Sequence, residues 1–200
     1  MRIIPARYAG FNINDEISRV FVEGFYPLLK HLCRNKTKLA NALAHMFKTE
    51  LFYVALDGPR VAGFIACTNG QEVCVKIRRA PLRRHLGFWR GNLAYTFMKR
   101  LNVPHYPFPF EDGMGALENL AVDPDYRGQG IARRLFAYAM NAVPYCSFTL
   151  EVADNNTARQ LYEKLGFREV ARVSQRFAAI TGTKAHVYMQ KKAKMTAMAA

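Results

Sequence analysis

The sequence lacks several features that define whole classes of protein. No apolar run approaches the roughly 20 residues that a membrane-spanning helix needs. The opening Met1-Arg2-Ile3-Ile4-Pro5 has no apolar core of a secretory signal. No two cysteines stand at CxxC spacing, which argues against a zinc site or a disulfide framework. We therefore expect a cytoplasmic protein with free thiols buried in apolar runs (Cys33, Cys67, Cys74 and Cys146), no metal and no membrane partner.

Acidic residues are scarce and unevenly distributed along the chain. The chain has 29 Lys and Arg against 15 Asp and Glu, a net charge of +14. Between Val73 and Phe110 there is no acidic residue at all. That stretch nevertheless holds eight basic residues, Lys76, Arg78, Arg79, Arg83, Arg84, Arg90, Lys99 and Arg100. Such a surface attracts polyanions, and charge alone does not choose among nucleotides, nucleic acid, anionic membrane and acidic protein.

Length and patterning indicate one domain with a buried core. The chain has 200 residues, of which half are hydrophobic and 22% charged. Asn14-Asp15-Glu16 precedes apolar residues at helical spacing and predicts a first helix. A second short helix is predicted over Lys38–Phe47. The apolar runs Leu51–Leu56 and Val61–Ala66 flank a Gly/Pro turn and predict an antiparallel hairpin.

The acid-free segment predicts one basic helix and an aromatic loop. Pro81 opens an apolar pattern with a spacing near four that runs to Leu101. Three prolines within 103–110 exclude a helix there. The aromatic residues of the helix keep helical spacing, so we expect them to be buried (Phe88, Trp89, Tyr95 and Phe97). Buried rings do not stack on bases, and nucleic acid is therefore not the expected partner.

The last third alternates strands and helices. The predicted elements are strand Ala116–Val122, helix 130–142, strand Cys146–Val152, helix Asn156–Leu165, and strands Phe167–Val173 and Ala185–Gln190. This order predicts a single α/β (α+β) domain whose central sheet is mixed and mostly antiparallel, with helices on both faces. We place the domain at 1–190, with a basic, helical and Pro/aromatic insertion at about 73–115 and a flexible tail at 191–200.

A glycine-rich loop follows the predicted strand Ala116–Val122 and leads into a helix. In Arg127-Gly128-Gln129-Gly130, the glycines let main-chain N–H groups turn toward one point. The start of the next helix adds unpaired N–H donors and a partial positive charge. The loop therefore predicts a pyrophosphate cradle. It is neither a P-loop nor a dinucleotide-binding fingerprint, because the Gly-Lys-Ser/Thr and GxGxxG patterns are both absent.

The segment resembles the GNAT superfamily of acetyl-CoA-dependent N-acetyltransferases. The signature Arg/Gln-x-x-Gly-x-Gly/Ala is met by Arg127-x-x-Gly130-x-Ala132, after the typical strand Glu118-Asn119-Leu120-Ala121-Val122-Asp123-Pro124. A second segment of the family follows, Asn156-Thr157-Ala158-Arg159-Gln160-Leu161-Tyr162-Glu163-Lys164-Leu165-Gly166-Phe167. The resemblance covers about 116–173 and says little about 73–115.

The resemblance implies a binding site for acetyl-CoA. The strand backbone at Leu120, Ala121 and Val122 would lie along the pantetheine arm. Asn156, or Asn155 in the alternative register, would contact the CoA arm, and Tyr162 would lie near the thioester sulfur. The pyrophosphate would be held by the main-chain amides of Arg127, Gly128, Gln129, Gly130, Ile131, Ala132 and Arg133.

The implied reaction is direct attack of an amine on the thioester in a ternary complex. An amine with a pKa near 10.4 must lose a proton first, and Glu118 is the candidate base, directly or through water. Tyr162 is the candidate acid that protonates the leaving thiolate. The structural alternatives are core packing for Tyr162 and a solvated strand position for Glu118. Asp123 and Asp125 suit a turn better than catalysis.

The acceptor is left open by the sequence. A small-molecule amine bearing phosphate or carboxylate is preferred because of the basic surface, and a protein N-terminus, a lysine or a polyamine remains an alternative. Two other functions also remain. One is a non-catalytic, acyl-CoA-binding regulatory module, and the other is a protein acetyltransferase associated with nucleic acid or the ribosome. The resemblance also implies a homodimer, because dimers are common in the family.

Overall fold

The computed structural model describes residues 1–10, 12–101, 106–175 and 182–193, with Leu101 described by its backbone alone. The strands are β1 (Arg2–Pro5), β2 (Phe52–Asp57), β3 (Arg60–Thr68), β4 (Met114–Val122), β5 (Ser147–Ala153), β6 (Arg168–Ser174) and β7 (Ala185–Lys192). The helices are α1 (Ile13–Leu29), α2 (Lys36–Leu43), α3 (Arg79–Leu86), α4 (Phe88–Leu101), α5 (Ile131–Asn141) and α6 (Ala158–Lys164). Short 3-10 turns occupy Ala6–Tyr8, Ala44–Met46, Thr49–Leu51 and Pro124–Tyr126.

The seven strands form one mixed sheet in the order β1-β2-β3-β4-β5-β7-β6. Only β4 and β5 pair in parallel, and the other neighbours are antiparallel. The predicted α/β (α+β) class, the mixed and mostly antiparallel sheet, and the hairpin between β2 and β3 are therefore confirmed. The strand Arg2–Pro5 was not predicted, because four residues leave little periodicity to detect.

Helices cover both faces of the sheet, because successive strand residues point to opposite sides. Phe64 packs with α1, α2 and the inner faces of α3 and α4 in one buried cluster. Its neighbour Ile65 packs with α5 and α6 in a second cluster. No helix in the described residues is long and apolar enough to cross a membrane.

The helix predicted from Pro81 to Leu101 is two helices, which corrects the prediction. The chain turns at Gly87, whose φ of +83° is a conformation that glycine adopts easily. The break shifts the helical phase, so α4 buries Gly91, Ala94 and Met98 rather than the residues of the continuous pattern. Contrary to the prediction of burial, Phe88 and Trp89 are exposed, while Tyr95 and Phe97 are half-buried against the core.

Two smaller predictions also need correction. The second helix ends at Leu43 and gives way to a 3-10 turn before Phe47. Strand β7 extends to Lys192, so the first residues of the predicted 191–200 tail belong to the sheet, and 194–200 lie outside the described residues. Residues 102–105 of the predicted aromatic loop also lie outside them, whereas 106–110 form a loop as predicted.

All four cysteines are free thiols, as predicted. Cys67 and Cys74 are buried, but Cys33 is half-buried and Cys146 is exposed, so the expectation of burial holds for only two of them. Within the described part of the chain, no group of three or more His, Cys, Asp or Glu side chains is placed to hold a metal ion.

Candidate active site

Strands β4 and β5 separate along their length and open a cleft. They are paired only at their first residues, from Met114 with Ser147 to Ala116 with Thr149. Beyond that point, the register of the described residues pairs β4 with β3 and β5 with β7. The facing edges of β4 and β5 therefore leave main-chain groups available to a ligand that lies between them.

A bulge in β4 lies where the strands separate. Asn119 has a φ of +50°, the only positive φ of a described non-glycine residue, and asparagine tolerates that conformation better than most residues. The register with β3 shifts there, from Ala66 opposite Glu118 to Phe64 opposite Ala121. A bulge redirects the side chains around it. In this way Glu118, Asn119 and Leu120 all come to line the cleft.

The glycine loop (127–130) follows the 3-10 turn Pro124–Tyr126 that comes after β4, and it ends immediately before α5. Gly128 and Gly130 have φ values of +77° and +72°, and no other atom lies within 4 Å of where a Cβ would stand. Arg134 is the first residue of α5 whose amide bonds a carbonyl of the same helix, that of Gly130, at 3.1 Å. The amides before that of Arg134 are the donors that the start of a helix leaves without a partner in the helix. This open, amide-rich concavity fits a pyrophosphate.

Asp123 fixes the turn between β4 and the glycine loop. Its side chain is 2% exposed and accepts hydrogen bonds from Arg19 of α1 at 2.5 Å and from Arg60 of β3 at 3.0 Å. Its other oxygen accepts the amide of Asp125 at 3.0 Å. Burial opposes ionisation, but these donors outweigh it and hold the pKa of Asp123 below its ordinary value. Asp123 is therefore a structural residue of the turn.

The cleft has a volume of about 460 Å³, within the range of about 300–1,000 Å³ that holds small ligands and cofactors. It receives side chains from β4, β5, α5, α6 and β7, together with α1 and the loop before β4. Both sequence-predicted catalytic residues, Glu118 and Tyr162, line it. The remaining lining residues are Phe25, Leu28, Val73, Tyr106, Leu117, Asn119, Leu120, Phe136, Leu150, Glu151, Val152, Ala153, Asn156 and His186.

Glu118 is held by two donors on different segments. Tyr106 donates its hydroxyl to Oε1 at 3.0 Å, and Cys74 donates its thiol to Oε2 at 3.2 Å. Asn119 in turn donates to the Cys74 sulfur at 3.0 Å. Burial raises the pKa of Glu118, and the charge of Glu151 raises it further, although the two hydrogen bonds oppose the shift. The result is an oriented carboxyl that gains a proton more easily than an ordinary glutamate.

Tyr162 both packs in the core and lines the cleft. It is 8% exposed and meets Phe136 edge-to-face at 5.4 Å between ring centroids. Burial raises the pKa of its hydroxyl to about 12, so the phenol keeps its proton at neutral pH. The hydroxyl has no hydrogen-bond partner among the described residues, which leaves it available to a ligand.

The two asparagines before α6 have different surroundings. Asn155 donates to the carbonyl of Gly182 at 2.7 Å, in the loop before β7. Asn156 accepts the amide of Ala158 at 2.9 Å and lines the cleft. Of the two registers that the sequence left open, the structure brings only Asn156 to the cleft.

The other sequence-predicted cofactor residues surround the end of β4 and the glycine loop. Ala121 is buried against α1, with Gly24 facing it closely, while Leu120 and Val122 are half-buried on the opposite face. Ile131 is buried in the core, so its amide is the part that can contribute to the loop. Arg127, Gln129, Ala132 and Arg133 are exposed or half-exposed, and Arg127 Nε donates to the Val122 carbonyl at 3.3 Å.

Four residues of the site were not identified from the sequence. Tyr106 and Cys74 hold Glu118, whereas Glu151 on β5 and His186 on β7 line the cleft together and contact each other. The hydrogen bond to Glu151 raises the pKa of His186, against the effect of burial. No local motif marks these residues, and only the alternation of β5 and β7 could have indicated that Glu151 and His186 share a face.

The family model of the acetyltransferase (GNAT) domain matches residues 95–169, which contain β4, the glycine loop, α5, β5 and α6. Among solved structures, the PH1933 protein of Pyrococcus horikoshii OT3 superposes with a TM-score of 0.58 at 20% identity, over 97% of this chain and 99% of that one. An N-acetyltransferase from Staphylococcus aureus Mu50 gives 0.57 at 20% identity, over 96% and 100%.

Residues 95–169 thus match the acetyltransferase (GNAT) domain, and the chain as a whole has the fold of these solved structures. It is similar to the N-alpha-acetyltransferase RimI of Mycobacterium tuberculosis, with 35% identity over 114 residues that make up 54% of this chain and 65% of the relative. It is also 34% identical over 82 residues to an uncharacterized protein of Mycobacterium leprae, across 40% of this chain and 21% of that protein. The chain spans less than two thirds of the length of either relative.

Proposed function

We propose that the protein is an N-acetyltransferase that moves the acetyl group of acetyl-CoA to an amine. The observation that carries the proposal is that one cleft joins Glu118 and Tyr162 between separated strands, with the glycine loop at the end of β4. Acetyl-CoA supplies an activated acetyl thioester when it is bound. The amides of the glycine loop and of the first turn of α5 hold its pyrophosphate. The open edge of β4 at Leu120 and Val122 accompanies the pantetheine arm, and Asn156 contacts it.

The two catalytic groups transfer protons at different steps: one before the amine attacks and the other as the thiolate leaves. Glu118 takes the proton of the acceptor ammonium, directly or through one water, because its raised pKa lies closer to neutrality than that of an ordinary glutamate. Tyr162 donates its hydroxyl proton to the sulfur that leaves, since burial keeps this hydroxyl protonated at neutral pH.

The acceptor end of the cleft is acidic although the chain as a whole is basic. Glu118 and Glu151 both line it, and the charge of Glu151 acts on the pKa of Glu118. Two carboxylates outnumber the single imidazole of His186 that contacts Glu151, so this end favours a cation over an anion. We therefore propose an acceptor that arrives as an ammonium ion, such as a protein N-terminus or a small amine. This replaces the phosphate- or carboxylate-bearing acceptor suggested by total charge.

The test measures binding and turnover separately. Titration calorimetry with acetyl-CoA is expected to show binding at a single site. A panel of small amines and of peptides with free N-termini, followed by release of free CoA, is expected to show turnover with at least one cationic acceptor. Tight binding without turnover across the panel would indicate the regulatory module instead. Absence of binding would remove the proposal altogether.

A further inference from the structure

An exposed apolar surface lies on the outer side of the α3–α4 hairpin. Trp89 is 83% exposed, Leu93 62% and Phe88 56%, values that are unusual for side chains of this size. Trp89 and Leu93 are four residues apart on α4 and therefore share one face of the helix. Phe88 contacts Trp89 at 5.4 Å between ring centroids. These three residues are named the apolar patch below.

The packing of α4 fixes this surface outward. Gly91 lies so close to α3 that a Cβ there would stand 2.6 Å from the backbone of Arg83. Ala94 and Met98 continue the same inner face into the core. With 91, 94 and 98 directed inward, the geometry of the helix directs 89, 93, 96 and 100 outward.

Basic side chains share the two helices with the apolar patch. Arg84, Arg90, Lys99 and Arg100 are exposed on the two helices, and the Arg83 guanidinium lies 4.6 Å from the centre of the Phe88 ring. Neither helix contains an acidic residue. A helix that presents Trp, Phe and Leu among arginines and lysines has the composition of one that lies in the interface of an anionic bilayer.

We propose that the α3–α4 hairpin docks on the surface of an anionic phospholipid bilayer. Trp89, Phe88 and Leu93 enter the headgroup region, and the surrounding arginines and lysines contact the lipid phosphates. The charge of this surface is complementary to such a membrane and no acidic side chain on the hairpin opposes it. The expectation of no membrane partner rested on the lack of a spanning segment, and a peripheral contact needs none.

Single-stranded nucleic acid fits the same surface less well. Base stacking needs open aromatic faces, but Arg83 covers one face of Phe88, and the rings of Phe88 and Trp89 are perpendicular, with an interplanar angle of 90°. Leu93 has no face on which a base can stack. The aliphatic member of the apolar patch therefore favours the bilayer.

Trp89 is the only tryptophan of the chain, so its fluorescence reports the hairpin directly. The full chain is mixed with vesicles of phosphatidylcholine alone or of phosphatidylcholine with phosphatidylglycerol. We expect a blue shift and quenching by brominated acyl chains with the anionic vesicles, a weaker effect with the neutral ones, and reversal by high salt. Leu93→Ser is expected to weaken sedimentation with the anionic vesicles.

Two charge-reversal variants distinguish the effect of charge beside the apolar patch from the effect of the net charge of the molecule. Arg90→Glu is expected to lower vesicle partitioning about tenfold or more, because each basic residue at the surface contributes appreciably to binding. Arg168→Glu makes the same change of charge on exposed β6 and is expected to change partitioning by less than about twofold. Both variants are first shown to retain the circular dichroism of the parent chain.

Four results would overturn the proposal. One is the absence of a spectral shift with anionic vesicles. Another is an equal loss in Arg90→Glu and Arg168→Glu, which would reflect total charge. A third is a shift with single-stranded RNA but not with vesicles. The fourth is a concentration-dependent shift without lipid, which would show that a second copy of the chain covers the apolar patch.

Discussion

The two ends of the proposed site are built from different parts of the chain. The glycine loop, which lies outside the residues that line the cleft, offers main-chain amides of consecutive residues, with Gly128 and Gly130 in left-handed conformations. In the cleft, the groups are side chains of Glu118, Glu151 and Tyr106, which come from separate segments. The first end presents N–H donors and suits an anion, whereas the second presents carboxylates and suits a cation. The proposed site therefore suits a polyanionic cofactor and a cationic acceptor without either repelling the other.

The largest effect is expected at the main-chain end. Gly130→Asp brings a negative charge to the place where phosphates meet the amides, in a backbone conformation that favours glycine. We expect acetyl-CoA binding to fall below detection by calorimetry, a loss of about 3 kcal/mol or more against about 1 for an ordinary helix-start substitution.

Gly130→Asn is the matched control, because it has nearly the same shape and no charge. An intermediate affinity in this variant would assign the remaining loss to charge. Unchanged affinity in a folded Gly130→Asp protein would show that the glycine loop does not bind the cofactor.

The next largest effect is expected at Tyr162, which lines the cleft. Tyr162→Phe keeps the ring packed on Phe136 and removes only the hydroxyl. Turnover is expected to fall about 10²–10⁴-fold while acetyl-CoA affinity stays the same. Tyr53→Phe, at an equally buried tyrosine outside the cleft, serves as the control and is expected to retain turnover. Equal turnover in both variants would leave Tyr162 as a core residue alone.

At the side-chain end, the loss of turnover in Glu118→Gln is expected to depend on pH. Turnover should fall about 10²-fold near pH 7 and recover toward alkaline pH, where more of the amine is already neutral. Tyr106→Phe removes a hydrogen bond that stabilises the ionised carboxylate, so the pKa of Glu118 should rise. The acidic limb of the rate profile should therefore move to higher pH.

Rate profiles from pH 6 to 10 test both variants. A Glu118→Gln profile that runs parallel to that of the parent chain would identify Glu118 as a positioning residue and not as the base.

The smallest effect is expected at Glu151, whose side chain is 42% exposed. Glu151→Gln should raise KM for a cationic acceptor a few fold, in keeping with about 1 kcal/mol or less for an exposed charge. Acetyl-CoA affinity should stay the same, and the acidic limb of the rate profile should move to lower pH, because the charge of Glu151 raises the pKa of Glu118. A lower KM for the same acceptor would contradict an acidic acceptor end, and an anionic acceptor would then be favoured.

The same contrast explains which parts of the molecule could be predicted from sequence. The strand, glycine loop and helix over 114–141 follow from neighbouring residues, since glycine conformation and helix periodicity are local properties. The partners of Glu118 are not local, because Cys74 lies 44 residues away, in the segment between β3 and α3. The error at 81–101 has a third cause. One glycine at 87 changed the helical phase, so a correct apolar period predicted the wrong buried face.

The ion pairs of Asp123 have a consequence for how the domain can be divided. Asp123 is joined to Arg19, which lies 104 residues earlier, and to Arg60, which lies 63 residues earlier. The family model begins only at residue 95, so the segment it recognises excludes both arginines. A fragment cut at that boundary would keep every glycine of the loop and lose the anchors of the preceding turn. The glycine loop therefore depends on a helix and a hairpin outside the matched segment, and the domain is expected to fold as one unit.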